Sequence, residues 1–177
     1  RPAPRVSVIV PLFNCLSLTQ AMLASLHATL PDSLAYEVIL VDDGSTDGTR
    51  EWLQTLSRGP RAAQYQVILN DRNLGYAAAN NRAATYARGE FLALLNNDLV
   101  LLPRWIEPML AAFVKLGDDA GLVGNVQLDA RSGAVDHAGL VVNLTGKPVH
   151  DRRVPSRLAR WLFPVRRVPA VTAACVM

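Results

Sequence analysis

Five short apolar runs, most of them rich in β-branched residues, punctuate the chain and stop at polar clusters. They are Val6–Val10, Glu37–Val41, Gln66–Leu69, Phe91–Leu95 and Gly121–Val126. Runs of this length bounded by turn-forming residues predict buried strands. Between the first four lie segments with helical patterning. Ser17-Leu18-Thr19-Gln20 has the form of a capping box, with Ser17 as N-cap. Leu18, Met22, Leu23, Leu26 and Leu30 then fall on one helical face. A second helix is predicted from Thr46 to Leu56, with Trp52, Leu53 and Leu56 inward. An Ala-rich third is predicted from Gly75 to Ala87, and a fourth from the turn at Pro103 to about Lys115. Strand–helix–strand repetition implies an α/β fold with a mostly parallel central sheet flanked by helices and joined by right-handed crossovers. After Gln127 the pattern changes. Asp129-Ala130-Arg131-Ser132-Gly133 reads as a turn leading into a strand over Val135–Val142, and Asn143 to Pro169 reads as loops.

In a parallel sheet the ends of the first four strands meet on one rim, and in open α/β sheets ligands bind along that edge. Four polar clusters converge there: Pro11-Leu12-Phe13-Asn14, Asp42-Asp43-Gly44-Ser45, Asn70 to Gly75, and Asn96-Asn97-Asp98. Core packing requires no polar groups at these positions. Asp42 and Asp43 suit the imide N–H of a uracil- or thymine-type base, or a ribose hydroxyl, and Gly44 would let the chain turn close to a ligand. Helix capping competes for Ser45, Thr46 and Asp47. Asp98 suits a phosphate-bound divalent cation, which is usually held by one or two carboxylates plus phosphate oxygens; a local Asx turn is the competing use. Backbone N–H groups from Asn73 to Gly75 open a helix and can face a phosphate or base. Asn80 lies in that helix's first turn. Arg72 either neutralises phosphate or is a solvated surface charge.

Composition sharpens this picture modestly. The chain of 177 residues is one domain or most of one, half hydrophobic and 19% charged, which excludes disorder. The net charge of +3 is concentrated in residues 147–167, which hold Lys147, Arg152, Arg153, Arg157, Arg160, Arg166 and Arg167 against Asp151 alone. Nucleic acid is therefore not the expected partner. Within that stretch, Arg157 to Phe163 mixes basic and apolar groups, as an interfacial helix on an anionic membrane would; a solvated loop at the active site is the alternative. Cys15 and Cys175 make no disulfide framework, and the expected compartment is the cytoplasm or the cytoplasmic face of the membrane. No apolar run approaches the ~20 residues that span a bilayer. His27 is expected on a helix surface, while His137 and His150 lack metal-ligand spacing. The Arg1-Pro2-Ala3-Pro4 opening looks like a linker, and the chain stops within the apolar run Val168–Met177.

Three ordered motifs resemble the inverting family-2 glycosyltransferases of GT-A fold, the nucleotide-diphospho-sugar transferase type. They are Val8 to Asn14, Val41-Asp42-Asp43-Gly44-Ser45-Thr46-Asp47-Gly48-Thr49, and Asn73-Leu74-Gly75-Tyr76 through Asn80. A fourth, Leu95-Asn96-Asn97-Asp98, looks like the family's Asp-x-Asp motif with Asn in place of the first acid. The resemblance covers about Val6 to Met177. It implies that Pro11 and Phe13 line the base and that Asp42 or Asp43 binds the base or its ribose. It also implies that Asp98 is the main protein ligand of Mg²⁺ or Mn²⁺.

By that resemblance, residues 1–127 form the nucleotide-sugar-binding half, and 128–177 begin the acceptor side of the same domain. A UDP- or dTDP-sugar is the expected donor, and a glycan or lipid-linked acceptor of bacterial cell-surface polysaccharide synthesis the expected partner. The family's catalytic carboxylate typically follows a strand resembling Val171–Met177. No residue of the chain is assigned that role, so it is expected to bind donor and to transfer sugar poorly or not at all. Rival readings are a nucleotide-sugar-binding module without catalysis and a sugar nucleotidyltransferase. The latter should carry a Gly-rich basic loop after the first strand, where Pro11-Leu12-Phe13-Asn14 stands. A receiver domain should carry its acidic pair on the first strand rather than the second.

Overall fold

The computed structural model describes residues 3–154 and 165–177. The chain divides into two compact units, residues 1–104 with Met177, and residues 105–176.

In the first unit, four parallel strands are interleaved with three helices. The strands are β1 (Val6–Leu12), β2 (Tyr36–Asp42), β3 (Tyr65–Leu69) and β4 (Phe91–Leu95), in the spatial order β3-β2-β1-β4. β1 lies between its two parallel neighbours, with Val6 opposite both Tyr36 and Phe91. A strand covered on both faces reads as a continuous apolar run, and Val6, Val8, Ile9, Val10 and Val38 to Val41 are all fully buried. The helices are α1 (Leu16–Thr29), α2 (Thr49–Leu56) and α3 (Tyr76–Ala84). Ala79 and Ala83 of α3 pack against Ile9, Ile39, Val41 and Ile68. Side chains this small let the helix lie close to the sheet.

The helix boundaries differ from those the pattern predicts. α1 starts at Leu16 instead of after Ser17, its N-cap Cys15 is left-handed, and no side chain of its own caps it. Leu18 therefore points outward at 48% exposure, while Thr19 is buried in its place. α2 begins only at Thr49, because Gly48 at φ 90° cannot continue a helix backward. The fourth helix begins at Glu107, since Arg104 is left-handed and breaks any helix running from Pro103.

The second unit holds α4 (Glu107–Leu116) and short strands. Gly121–Val126 does not form the expected strand. Leu122 and Val126 are exposed and only Gly124 makes an isolated bridge, to Val176. Instead β5 (Gln127–Leu128) pairs antiparallel with β6 (Val135–His137) across the expected turn. The strand foreseen over Val135–Val142 breaks at Gly139, which sits at φ 128° with Val168 packed against its α-carbon. The second half, β7 (Leu140–Val142), pairs with β8 (Pro148–His150), so residues 140–150 form a hairpin, where loops are expected from Asn143 onward. A last strand, β9, covers Cys175–Val176. No described helix is long and apolar enough to cross a membrane.

Candidate active site

The first βα loop is short and strained. Asn14 and Cys15 both have positive φ, at 56° and 62°, a conformation Asn tolerates better than most residues. What holds it is the loop after β2. The Asn14 N–H donates to Ser45 Oγ at 2.8 Å, Thr46 N–H to Asn14 Oδ1 at 2.9 Å, and Leu16 N–H to Asp47 Oδ2 at 2.9 Å. Asp47 also accepts from the Thr49 N–H and hydroxyl. It thus caps two helices at once, and those hydrogen bonds hold its carboxyl below the ordinary range. Gly44, at φ 82°, lies so close to the next loop that a Cβ would meet the Arg72 carbonyl carbon at 2.7 Å. Its lack of a side chain accommodates a neighbouring backbone rather than a ligand.

The two adjacent acids diverge. Asp42 is fully buried. It accepts from the Ser45 N–H at 3.1 Å and from Arg50 Nε at 3.1 Å. It faces the protein and does not line the cleft. Asp43, also buried, accepts from Asn70 Nδ2 at 2.6 Å, from the Leu74 N–H shared between both oxygens at 3.0 Å, and from the Gly75 N–H at 2.9 Å. Asn70 is held in turn by Arg82 on its side-chain oxygen and by Arg50 on its backbone carbonyl. Two guanidinium groups thus fix the amide that fixes Asp43.

Asp43 opens into a cleft of about 210 Å³ lined also by Pro11, Leu12, Phe13, Asn73, Tyr76, Asn96 and Asn97. Phe13 and Tyr76, two aromatic residues of the lining, are 49% and 43% exposed. Of the residues singled out in the sequence, Pro11, Phe13, Asp43, Asn73, Asn96 and Asn97 converge here. Arg72 is exposed outside the lining. Gly75 contributes its N–H to Asp43, and Asn80 is buried in α3 with its amide donating to the Tyr76 carbonyl. Asn97 turns partly inward, its amide on Thr19 Oγ1 at 3.0 Å. Asp98 is exposed and does not line the cleft. Among the described residues no three His, Cys, Asp or Glu side chains cluster as a self-sufficient metal site. Arg50 and Arg82 were not singled out, and Asn70 and Tyr76 were named within their motifs but given no role of their own; the signal available was a polar residue directly after β3 and an aromatic one after Gly75.

The second unit has its own polar core. His137 is buried, and its Nε2 accepts from the Thr172 N–H at 3.2 Å. Its ring meets His150 edge-on at 4.9 Å. Burial, then the charge of His150, push its pKa below the ordinary value. Buried Asp151 is clamped by Arg153 and Arg166, whose hydrogen bonds hold it far below the carboxylate range. Arg152 and Arg167 pair with Asp136 and Asp119. The described arginines of the basic stretch are thus engaged with carboxylates. Arg157 to Phe163, the expected interfacial segment, lie outside the described residues. Both cysteines are free thiols.

The family described as "Glycosyl transferase family 2" matches residues 7–139. The chain belongs to this family. It is 33% identical over its whole length to the O-antigen biosynthesis protein RfbC of Myxococcus xanthus, of which it spans 14%. It is 34% identical over 85% of its length to an undecaprenyl-phosphate 4-deoxy-4-formamido-L-arabinose transferase of Pseudomonas aeruginosa, spanning 45% of that protein. The mannosyltransferase PcManGT of Pyrobaculum calidifontis, solved with GDP-Man and Mn²⁺, superposes with a TM-score of 0.59 at 28% identity, over 71% of this chain and 36% of that one. The chain is a glycosyltransferase domain with the GT-A arrangement of a mostly parallel sheet. It spans less than half of each of these relatives.

Proposed function

We propose that the domain binds a pyrimidine nucleotide-diphospho-sugar, UDP- or dTDP-linked, and transfers its sugar with inversion to a glycan or lipid-linked acceptor. Relatives named for O-antigen synthesis and for an undecaprenyl-phosphate transferase support that acceptor class. The observation that carries the donor reading is the hydrogen-bond inventory of Asp43. An ionised carboxylate offers about four acceptor positions. Three donors, Asn70 Nδ2, Leu74 N–H and Gly75 N–H, already use it, with Leu74 straddling both oxygens. Room for about one donor remains. Uracil and thymine present a single imide N–H, whereas guanine presents two adjacent donors. Pro11 and Phe13 supply the apolar walls a flat base requires.

Asn96 lines this cleft, and Asp98 follows it two residues on. One carboxylate is a sufficient protein contribution for Mg²⁺ or Mn²⁺, because the remaining ligands are the donor's own phosphate oxygens and water. Asp98 would hold the ion, which when bound neutralises charge on the departing diphosphate. The chain's own part is to orient: Asp43 and Phe13 fix the base, while the Leu74 and Gly75 N–H groups before α3, expected to face a phosphate or base, hold Asp43 instead.

Isothermal titration of UDP, dTDP and GDP with and without Mn²⁺ tests this. UDP or dTDP should bind at least about tenfold tighter than GDP, a difference of ~1.4 kcal/mol. Asp98→Ala should remove the Mn²⁺-dependent part. Tighter binding of GDP would overturn the pyrimidine assignment. An unchanged Mn²⁺ effect in the variant would overturn the role of Asp98.

A further inference from the structure

The edge of the sheet opposite the donor cleft carries a second depression, of about 360 Å³, where β1 and β2 begin. Its floor is apolar, from Leu30, Leu34 and Ala35, and its wall carries Asp32, Tyr36, Glu37, Arg61, Gln64 and Arg88. His27 stiffens one side, with its two ring nitrogens on the hydroxyls of Tyr36 and Tyr65. Gln64 Oε1 is buried with no hydrogen-bond partner, which is costly unless a donor arrives. Arg61 is exposed, bonded to the Tyr36 hydroxyl, and in no salt bridge among the described residues. Arg88 is already neutralised by Glu37 at 2.6 Å.

The charges choose the ligand. Two guanidinium groups face two carboxylates, so an anion entering here would meet Asp32 and Glu37 as well as Arg61. The groups left to bond a ligand are the spare N–H groups of Arg61 and the Gln64 amide, which lines the depression and whose buried Oε1 must turn outward to meet a donor. A neutral ligand that both donates and accepts at adjacent atoms satisfies them, and an apolar face suits the floor. Vicinal hydroxyls on a sugar ring have this chemistry, since planar Arg and Gln groups bond neighbouring hydroxyls in pairs while the ring's C–H face lies on Leu30 and Leu34. We propose that this depression is a second glycan-binding site, taking a neutral sugar residue of the acceptor polymer away from the donor cleft. The proposal rests on the glycan-acceptor reading above.

The test is a ¹⁵N NMR titration of the whole chain with the neutral methyl glycosides of glucose, galactose, mannose, rhamnose and N-acetylglucosamine. Inorganic phosphate and UDP are titrated in parallel. At least one glycoside should give saturable shifts at the amides of Asp32 to Glu37 and Arg61 to Gln64. Arg61→Ala and Gln64→Leu should each weaken that binding at least about fivefold, the worth of one hydrogen bond, and leave UDP binding unchanged. No saturable shift at these amides with any glycoside overturns the proposal, as does a response to phosphate alone. Absence of UDP shifts around Phe13 and Asp43 would instead overturn the donor reading, so the two failures are distinguishable.

Discussion

Asp42 and Asp43 are neighbours of identical chemistry, yet the fold gives them opposite tasks. Successive side chains at the end of a strand point to opposite faces, so one acid turns to Arg50 and the Ser45 N–H while the other opens on the cleft. Sequence marked the pair but could not say which opened on the cleft, because that depends on where Arg50 and Asn70 arrive from elsewhere in the chain. The distinction is measurable. Asp42→Ala strips a buried acceptor from Arg50, whose own side chain is 32% exposed and can still reach water. It should cost about 2–3 kcal/mol of stability, with UDP affinity of the folded protein changed less than about threefold. Asp43→Ala should weaken UDP at least about tenfold, because on the proposed donor reading the lost bond is one to the base. Denaturant melts and UDP titrations on both variants check this, and equal UDP losses would reject the division of labour.

Loops, not single elements, account for most of what local patterning missed. The first four strands and their parallel direction were legible because burial on both faces imposes an apolar run and a crossover of helical length; the short antiparallel pieces after residue 120 were not. The helix starts were not. Ser17 has the local form of a cap, but the donor at the start of α1 goes to Asp47, 31 residues away. A window along the chain cannot see a cap supplied by another loop. The same holds for Gly44, read as room for a ligand and found pressed against Arg72. Asp47→Ala should therefore cost about 1–3 kcal/mol, twice the usual worth of one cap, since two helix starts lose an acceptor. Gly44→Ala should be at least as costly, combining a positive φ with a Cβ at 2.7 Å from backbone. Urea unfolding of both variants measures these losses. A Gly44→Ala protein as stable as the parent would show that the loops can separate without penalty.

Across the molecule, buried titratable groups set how the fold answers to acid. His27 and His137, one in each unit, both have pKa values below 6.5, burial being the main cause in each, with Arg61 adding to it for His27 and His150 for His137. Glu37 is lowered as well: burial alone would raise it, but hydrogen bonds from Ser7 and Arg88 outweigh that. The signs then order the events. A histidine with a depressed folded pKa is protonated first in the unfolded chain, so the unfolded state binds more protons and stability falls as pH drops below about 6.5. Glu37 and Asp151 keep their contribution until pH falls below the unfolded carboxylate values of 4.5 and 3.8. Unfolding free energy should therefore decline in two stages, a histidine stage below about pH 6.5 and a carboxylate stage below about pH 4.5. His27→Gln should shrink the first stage and leave the second, because an amide can still bond Tyr36 or Tyr65 but does not titrate. Guanidinium denaturation at a series of pH values reads both stages. If the variant and the parent lose stability in parallel from neutral pH down to about pH 5, then proton uptake at His27 does not contribute to the acid sensitivity of the fold.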